Sequence, residues 1–196
     1  MKKHMKMYED NKNLVNASLK DLESFLQLIA DLDKQMELFA MGGTAMVLKN
    51  IKEATKDIDF LTASDYDSIN ELFRLAGLEE KDGSKLCNIW HLSNKRIDIF
   101  YDEFVMGITL SDDWREMSEH IRNIGKLRLY ILNWYDIIIT KIARSEPRDI
   151  DDIWAILKTQ KIDFKVLKKR YYELAPVSLI ADYDAKFKYL ESKLRK

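Results

Sequence analysis

The sequence predicts an α+β fold: a small mixed β-sheet backed by helices, with a helical C-terminal part. Three observations lead there. Short strand-like segments bounded by turn residues recur at 36–41, 57–62, 78–81, 85–92 and 95–101, and again at 118–123 and 126–132. Helical spacing interrupts these segments and takes over after Asn133. A hydrophobic content of 46%, with 6 Gly and 2 Pro in 196 residues, suits a chain that buries a core without staples and argues against disordered or low-complexity classes.

The first dozen residues are expected to be loose. They are basic, no apolar stretch follows them, and they do not read as a secretory signal. Ser18 and Asp21 resemble a capping box. Leu19, Leu22, Phe25, Leu26 and Ile29 then recur at helical spacing, which predicts a helix to about Lys34. MELFAM at 36–41 reads as a buried strand that stops at Gly42-Gly43, and 44–50 as a brief helix. DIDFLT at 57–62 alternates polar and apolar, the pattern of a half-buried strand. Ser64 can cap a helix carrying Ile69, Leu72, Phe73 and Ala76, closed by Gly77. Asp82-Gly83 is a hairpin signal between strands at 78–81 and 85–92. KRIDIFY at 95–101 is a further strand, and a second hairpin turns near Gly125.

Asn133 and Asp136 resemble a cap for a helix to about Ala143, and Ser145 and Pro147 open the next. There Ile150, Ile153, Trp154 and Leu157 form an amphipathic face. Two more helices are expected at 163–174 and 183–194. The soft boundary near 133 divides the chain into an α/β core with its N-terminal helix, 1–132, and a helical region packing on it, 133–196.

The single cysteine, Cys87, excludes an internal disulfide and a multi-cysteine zinc site, and suits a reducing cytoplasm. No apolar run approaches the roughly 18 residues of a membrane span, so no membrane association is expected. The net charge of −1 gives no global drive toward nucleic acid. Residues 161–196, however, hold ten Lys/Arg against five Asp/Glu, a basic region that suits either RNA or a solvated helical face.

Three pieces carry chemistry. Gly42-Gly43-Thr44 lies between a strand and a helix, where glycines let a phosphate approach the backbone and the helix start offers free N–H donors. A plain tight turn gives the same residues. Asp57 and Asp59 are two apart on a predicted strand and share a face, with Ile58 and Phe60 on the other. Two carboxylates at about 4 Å repel by about 4 kcal/mol at an effective dielectric of about 20. A cation such as Mg²⁺ between them relieves that repulsion, and so does plain solvation on an edge strand. Asp98 is a third acid set between apolar residues on a strand. If the two strands are neighbours, three carboxylates meet, as a two-metal site requires. Asp102 falls at the end of that strand and is the weaker candidate.

The order Gly-Gly-Thr, then Asp-Ile-Asp thirteen residues after Thr44, then a strand Asp resembles the DNA polymerase β-like nucleotidyltransferase superfamily over roughly 36–102. The stretch LRLYILNWYDIIITKIARSEPRDIDD at 127–152 is similar to a segment of minimal nucleotidyltransferases of the abortive-infection and toxin–antitoxin type. The resemblance implies a nucleotidyltransferase fold. It also implies Mg²⁺- or Mn²⁺-dependent transfer of a nucleoside monophosphate from an NTP to an acceptor hydroxyl on an RNA or tRNA end, a protein or a small molecule. A toxin role with an antitoxin partner would follow from the same kinship.

On that implication Asp57, Asp59 and Asp98 hold metal and carry catalysis. Gly42, Gly43, Thr44, Thr55 and Lys141 bind nucleotide, and Arg148, Asp149 and Asp152 support the site. From spacing alone, Lys141 either snorkels to solvent or points into a cleft, and Asp149 and Asp152 also suit a helix N-terminus electrostatically. One departure is visible: relatives often place an Arg two residues before the position of Thr55, where this chain has Glu53, with Lys52 adjacent. The alternative readings are a non-catalytic member that binds a nucleotide or a protein partner, and a plain α+β domain with surface acids. His91 reads as a satisfied structural histidine, Cys87 as a small buried hydrophobe, and Trp90, Trp114, Trp134 and Trp154 as core.

Overall fold

The computed structural model describes residues 14–84, 86–178 and 180–194. The first dozen residues, expected to be loose, lie outside these. The fold is α+β, as predicted. Its centre is a mixed seven-stranded sheet in the order β10-β11-β2-β4-β7-β6-β5. These strands are β2 (Met36–Ala40), β4 (Ile58–Thr62), β5 (Glu79–Gly83), β6 (Cys87–Leu92), β7 (Lys95–Tyr101), β10 (Glu119–Ile124) and β11 (Leu127–Ile131). Two-residue strands β1 (Ala17–Ser18) and β3 (Ala54–Thr55) pair with each other, as do β8 (Phe104–Val105) and β9 (Ile108–Thr109).

Among the described residues seven helices flank the sheet: α1 (Leu19–Ala30), α2 (Gly42–Leu48), α3 (Tyr66–Leu75), α4 (Trp134–Arg144), α5 (Pro147–Thr159), α6 (Phe164–Val177) and α7 (Tyr183–Leu194). On one face of the sheet, Phe25 of α1 stacks on Phe60 at 5.8 Å between ring centroids and meets Phe73 of α3 edge-on, and Phe73 in turn meets Trp90. On the other face Phe39 packs between Trp114 and Tyr130, each at 4.7 Å. Among the described residues, no helix is long and apolar enough to cross a membrane.

The strand pairing sets the site. β4 is central, antiparallel to β2 and parallel to β7, and the register places Asp59 directly beside Asp98. The expectation of a half-buried strand fails here. All five residues of β4 are buried, because helices cover one face and the other faces a cavity. Asp57 stands one residue before the strand.

Several boundaries also move. α1 ends at Ala30 rather than Lys34, where Asp33 turns into the left-handed region at φ 54°. Asp65, not Ser64, caps α3 through its bond from the Ser68 N–H. Asp82 and Gly83 belong to β5, so that hairpin turns after them. Ser145 closes α4 at φ 57°, and Glu146 starts α5. Trp90 and Trp114 are core, whereas Trp134 and Trp154 are half-buried. The buried side of α5 is Asp149, Asp152, Ile153 and Ile156, rotated from the expected apolar stripe.

Candidate active site

A cavity of about 480 Å³ lies between the sheet and the α4–α5 pair. Alternation along β7 aims Arg96, Asp98 and Phe100 into it and leaves Ile97 and Ile99 in the core. Asp57 and Asp59 reach it from the start of β4. Adjacent strands lie about 4.8 Å apart, so the Asp59 and Asp98 backbones are close neighbours.

The local chain is built to hold these acids. The Thr44 hydroxyl accepts from the Asp59 N–H at 2.8 Å and donates to the Asp57 carbonyl at 3.4 Å. Thr55 donates to that same carbonyl at 3.0 Å. Thr44 is therefore a backbone clamp on the Asp57–Asp59 segment, fully buried, and not a residue of the cavity lining. Gly42 sits at φ +54°, where a Cβ would stand 3.1 Å from Asp59 Oδ2, and a Cβ on Gly43 would meet Thr55 Oγ1 at 2.2 Å. Glycine at both positions lets the turn close onto the acids.

The charges on this floor are poorly matched. Burial, then repulsion from Asp98 and Asp57, pushes the Asp59 carboxyl well above its usual range, against the opposing pull of Arg144 and Lys141. Burial likewise raises Asp98, although Arg96 opposes it. Arg96 grips Asp98 with two hydrogen bonds, Nε to Oδ1 at 2.7 Å and Nη2 to Oδ2 at 2.8 Å, and its Nε lies 3.8 Å from Asp57 Oδ1. That Asp57 oxygen is buried with no hydrogen-bond partner.

The helical wall is arranged differently. Lys141 points into the cleft, 3% exposed, and donates to Asp152 at 2.6 Å, with Asp149 at 3.8 Å. Asp152 also accepts from Lys52 at 2.8 Å. Burial alone would raise the Asp152 carboxyl, but the two lysines outweigh it and hold it below its ordinary value. Asp149 is clamped by Arg144 through bonds of 3.1 and 2.5 Å and accepts from the Glu146 N–H at 2.9 Å. Arg148 is half-exposed at the mouth, paired with Glu146 at 2.8 Å.

The structure thus gathers Gly43, Thr55, Asp57, Asp59, Asp98, Lys141, Arg148 and Asp152 on one cavity. Gly42, Thr44 and Asp149 stand behind that surface, and Asp102 lies exposed outside it. Lys52, next to the departing Glu53, reaches the cavity, as does Lys56, while Glu53 is exposed.

Sequence reasoning missed Arg96 and Arg144. Arg96 shares the strand face of Asp98 two residues on, and Arg144 lies one turn after Lys141, so same-face spacing was the available signal. Cys87 also lines the cavity, half-buried, with burial and the nearby carboxylates pushing its thiol up to about 12. That protonation state suits the expected small hydrophobe.

Asp57, Asp59 and Asp98 are the residues that could hold a divalent metal. Hard carboxylate oxygens, one of them orphaned and buried, fit Mg²⁺ or Mn²⁺. Among the described residues no three acid, His or Cys side chains already form a closed metal cage, and Arg96 stands among these acids instead.

Residues 17–195 match a protein family described as "Nucleotidyltransferase of unknown function (DUF6036)". The chain belongs to this family. Solved structures agree on the nucleotidyltransferase fold. JHP933 from Helicobacter pylori superposes with a TM-score of 0.51 at 15% identity, over 88% of this chain and 81% of that one. An antigenic nucleotidyltransferase-like protein from Paracoccidioides brasiliensis gives 0.50 at 15% identity, over 89% and 95%. At such identity the likeness is one of fold. No functionally curated protein matches the sequence.

Proposed function

We propose that this nucleotidyltransferase moves a nucleoside monophosphate from an NTP to an acceptor hydroxyl, with Mg²⁺ or Mn²⁺, releasing pyrophosphate. The observation that carries the reading is the cavity itself: Asp59 and Asp98 on neighbouring strands, with Asp57 just before the first, face a wall and rim of cations across a glycine turn. Asp57, Asp59 and Asp98 would hold the metal. When bound, it supplies Lewis-acid stabilisation of the phosphates and lowers the pKa of the acceptor hydroxyl. Gly43 gives phosphate oxygens access to the backbone, and Thr44 and Thr55 keep the acids in place through the Asp57 carbonyl. Lys52, Lys56 and Arg148 line the cavity where the leaving pyrophosphate needs positive charge. Lys141, on the cavity wall and paired with Asp152, contributes its positive field. Asp98 is the group set to accept the proton of the acceptor.

The test is transfer of label from each α-³²P NTP to pools of tRNA, cell protein and small hydroxyl compounds. The wild type labels one pool, and Asp59→Ala labels none. A wild type that consumes no NTP, or an Asp59→Ala variant of equal activity, overturns the reading. If tRNA is the labelled pool, a toxin role predicts that expression of the wild type but not of Asp59→Ala arrests growth. An antitoxin partner is then the protein that relieves the arrest.

A further inference from the structure

We infer that Arg96 is a resident counter-ion that occupies the cation position among Asp57 and Asp98 and yields it only to metal arriving together with a nucleoside triphosphate. The inference rests on the function proposed above and adds to it the order in which the site fills.

Four observations converge. Both oxygens of Asp98 are taken by the Arg96 guanidinium, at 2.7 and 2.8 Å. The same Nε lies 3.8 Å from Asp57 Oδ1, too far for a hydrogen bond but close enough to oppose its charge. That oxygen is shut off from water and has no other partner, so Arg96 covers it without satisfying it. Arg96 is also on the cavity surface, so its head can leave the acids without entering the core.

An arginine in this place behaves differently from a proton or a lysine. Its guanidinium stays charged and its fork matches a carboxylate in two parallel bonds. A metal cannot enter by titrating it away and must displace it. Free metal has to break the fork and then sit beside a released cation in a confined cleft, which repels it. A metal–nucleoside triphosphate complex is a net anion. It supplies the acids with their cation and gives Arg96 phosphate oxygens as new partners, to which arginine binds by the same fork geometry. Arg96 is therefore a positioning residue: it keeps three crowded acids compatible with a folded sheet when no substrate is present, and it makes metal binding depend on nucleotide.

The probes are Mn²⁺ alone, followed by its paramagnetic signal, and Mn²⁺ with a non-hydrolysable NTP analogue, each on wild type, Arg96→Gln and Arg96→Lys. The wild type should take up Mn²⁺ strongly only with the analogue. Arg96→Gln should bind Mn²⁺ alone at least about tenfold more tightly than the wild type, because a competing cation is gone. Its thermal midpoint without metal should fall and be restored by Mn²⁺ alone, a rescue that a purely structural loss does not give. Arg96→Lys keeps the charge and loses the fork, and should fall between the two, which keeps the test open if Arg96→Gln does not fold. If the wild type binds Mn²⁺ with the analogue while neither variant binds free Mn²⁺ better than the wild type, the role of Arg96 is refuted and the proposed activity stands. If no protein binds Mn²⁺ with or without the analogue, the proposed activity falls and Arg96 falls with it.

Discussion

The two sides of the cavity use the same side-chain types to opposite ends. On the α4–α5 wall the buried charges have close partners. Asp152 lies between Lys141 and Lys52, and Asp149 lies under Arg144. On the sheet floor the acids outnumber their partners. Asp59 makes no side-chain hydrogen bond or ion pair among the described residues, one oxygen of Asp57 is orphaned, and only Asp98 is fully engaged. The wall's charges therefore hold structure together, and on the proposed function the floor's charges take up a metal. Truncation should hurt stability on the wall and activity on the floor.

Asp59→Asn divides the two most sharply. Outer-shell partners of a metal cost about 10–100-fold when removed, so if Asp59 holds metal as proposed, its loss should lower transfer by more than about 100-fold. The thermal midpoint should not drop, since a buried, repelled charge has been removed. A destabilised Asp59→Asn would place Asp59 with the wall.

Asp152→Ala should do the reverse. It leaves Lys141 buried without its main partner, which costs about 3 kcal/mol, or roughly 6–12 °C in Tm for a chain of this size. Lys141→Met should cost less, because Asp152 keeps Lys52 and Asp149 keeps Arg144. Equal losses in the two variants would show that the pair is not held as described.

Gly43→Ala tests the turn beside the floor. Its methyl would press on Thr55 Oγ1, and overpacking of this kind costs about 1–3 kcal/mol. Denaturant unfolding measures that loss, and transfer should fall with it as the clamp on Asp57 shifts. Unchanged stability and activity would mean that the turn is looser than its geometry indicates.

The smallest effect is in acid. A carboxyl held below its ordinary value contributes stability that is present above that value and lost as pH falls through the lowered one. The stability gap between wild type and Asp152→Asn, measured by urea titration, should therefore be constant near neutrality and close only below the ordinary carboxylate range. A gap that closes already at pH 6 would contradict the lowered Asp152.

Much of this was legible in the sequence. The KRIDIFY alternation gave β7 its residues, and the Asn133 cap gave α4 its start. The same period placed Asp57 and Asp59 on one face and Asp98 on a strand. What escaped was set by distant pairing. The Lys52–Asp152 bond spans a hundred residues, and nothing local announces it. The buried side of α5 was misjudged because two of its members, Asp149 and Asp152, are acids, which pattern reading assigns to solvent. The alternation in β4 suggests a half-buried strand for the same reason: a polar residue facing a cavity resembles one facing water. In the basic region at 161–196, Lys168–Glu191, Lys169–Glu173 and Lys188–Asp184 form surface ion pairs.

The most direct measurement of the central claim is thermal unfolding of the wild type alone, with Mg²⁺, with each NTP, and with both, beside an Asp57→Asn control. A ligand at about 100 times Kd adds about 2.7 kcal/mol, which moves Tm by roughly 5–10 °C at this size. The account predicts that rise only when Mg²⁺ and one NTP are present together, and none in the control. A wild type whose Tm moves with no NTP, or moves equally in Asp57→Asn, would contradict the claim that the floor's unmatched acids await a cation and nucleotide.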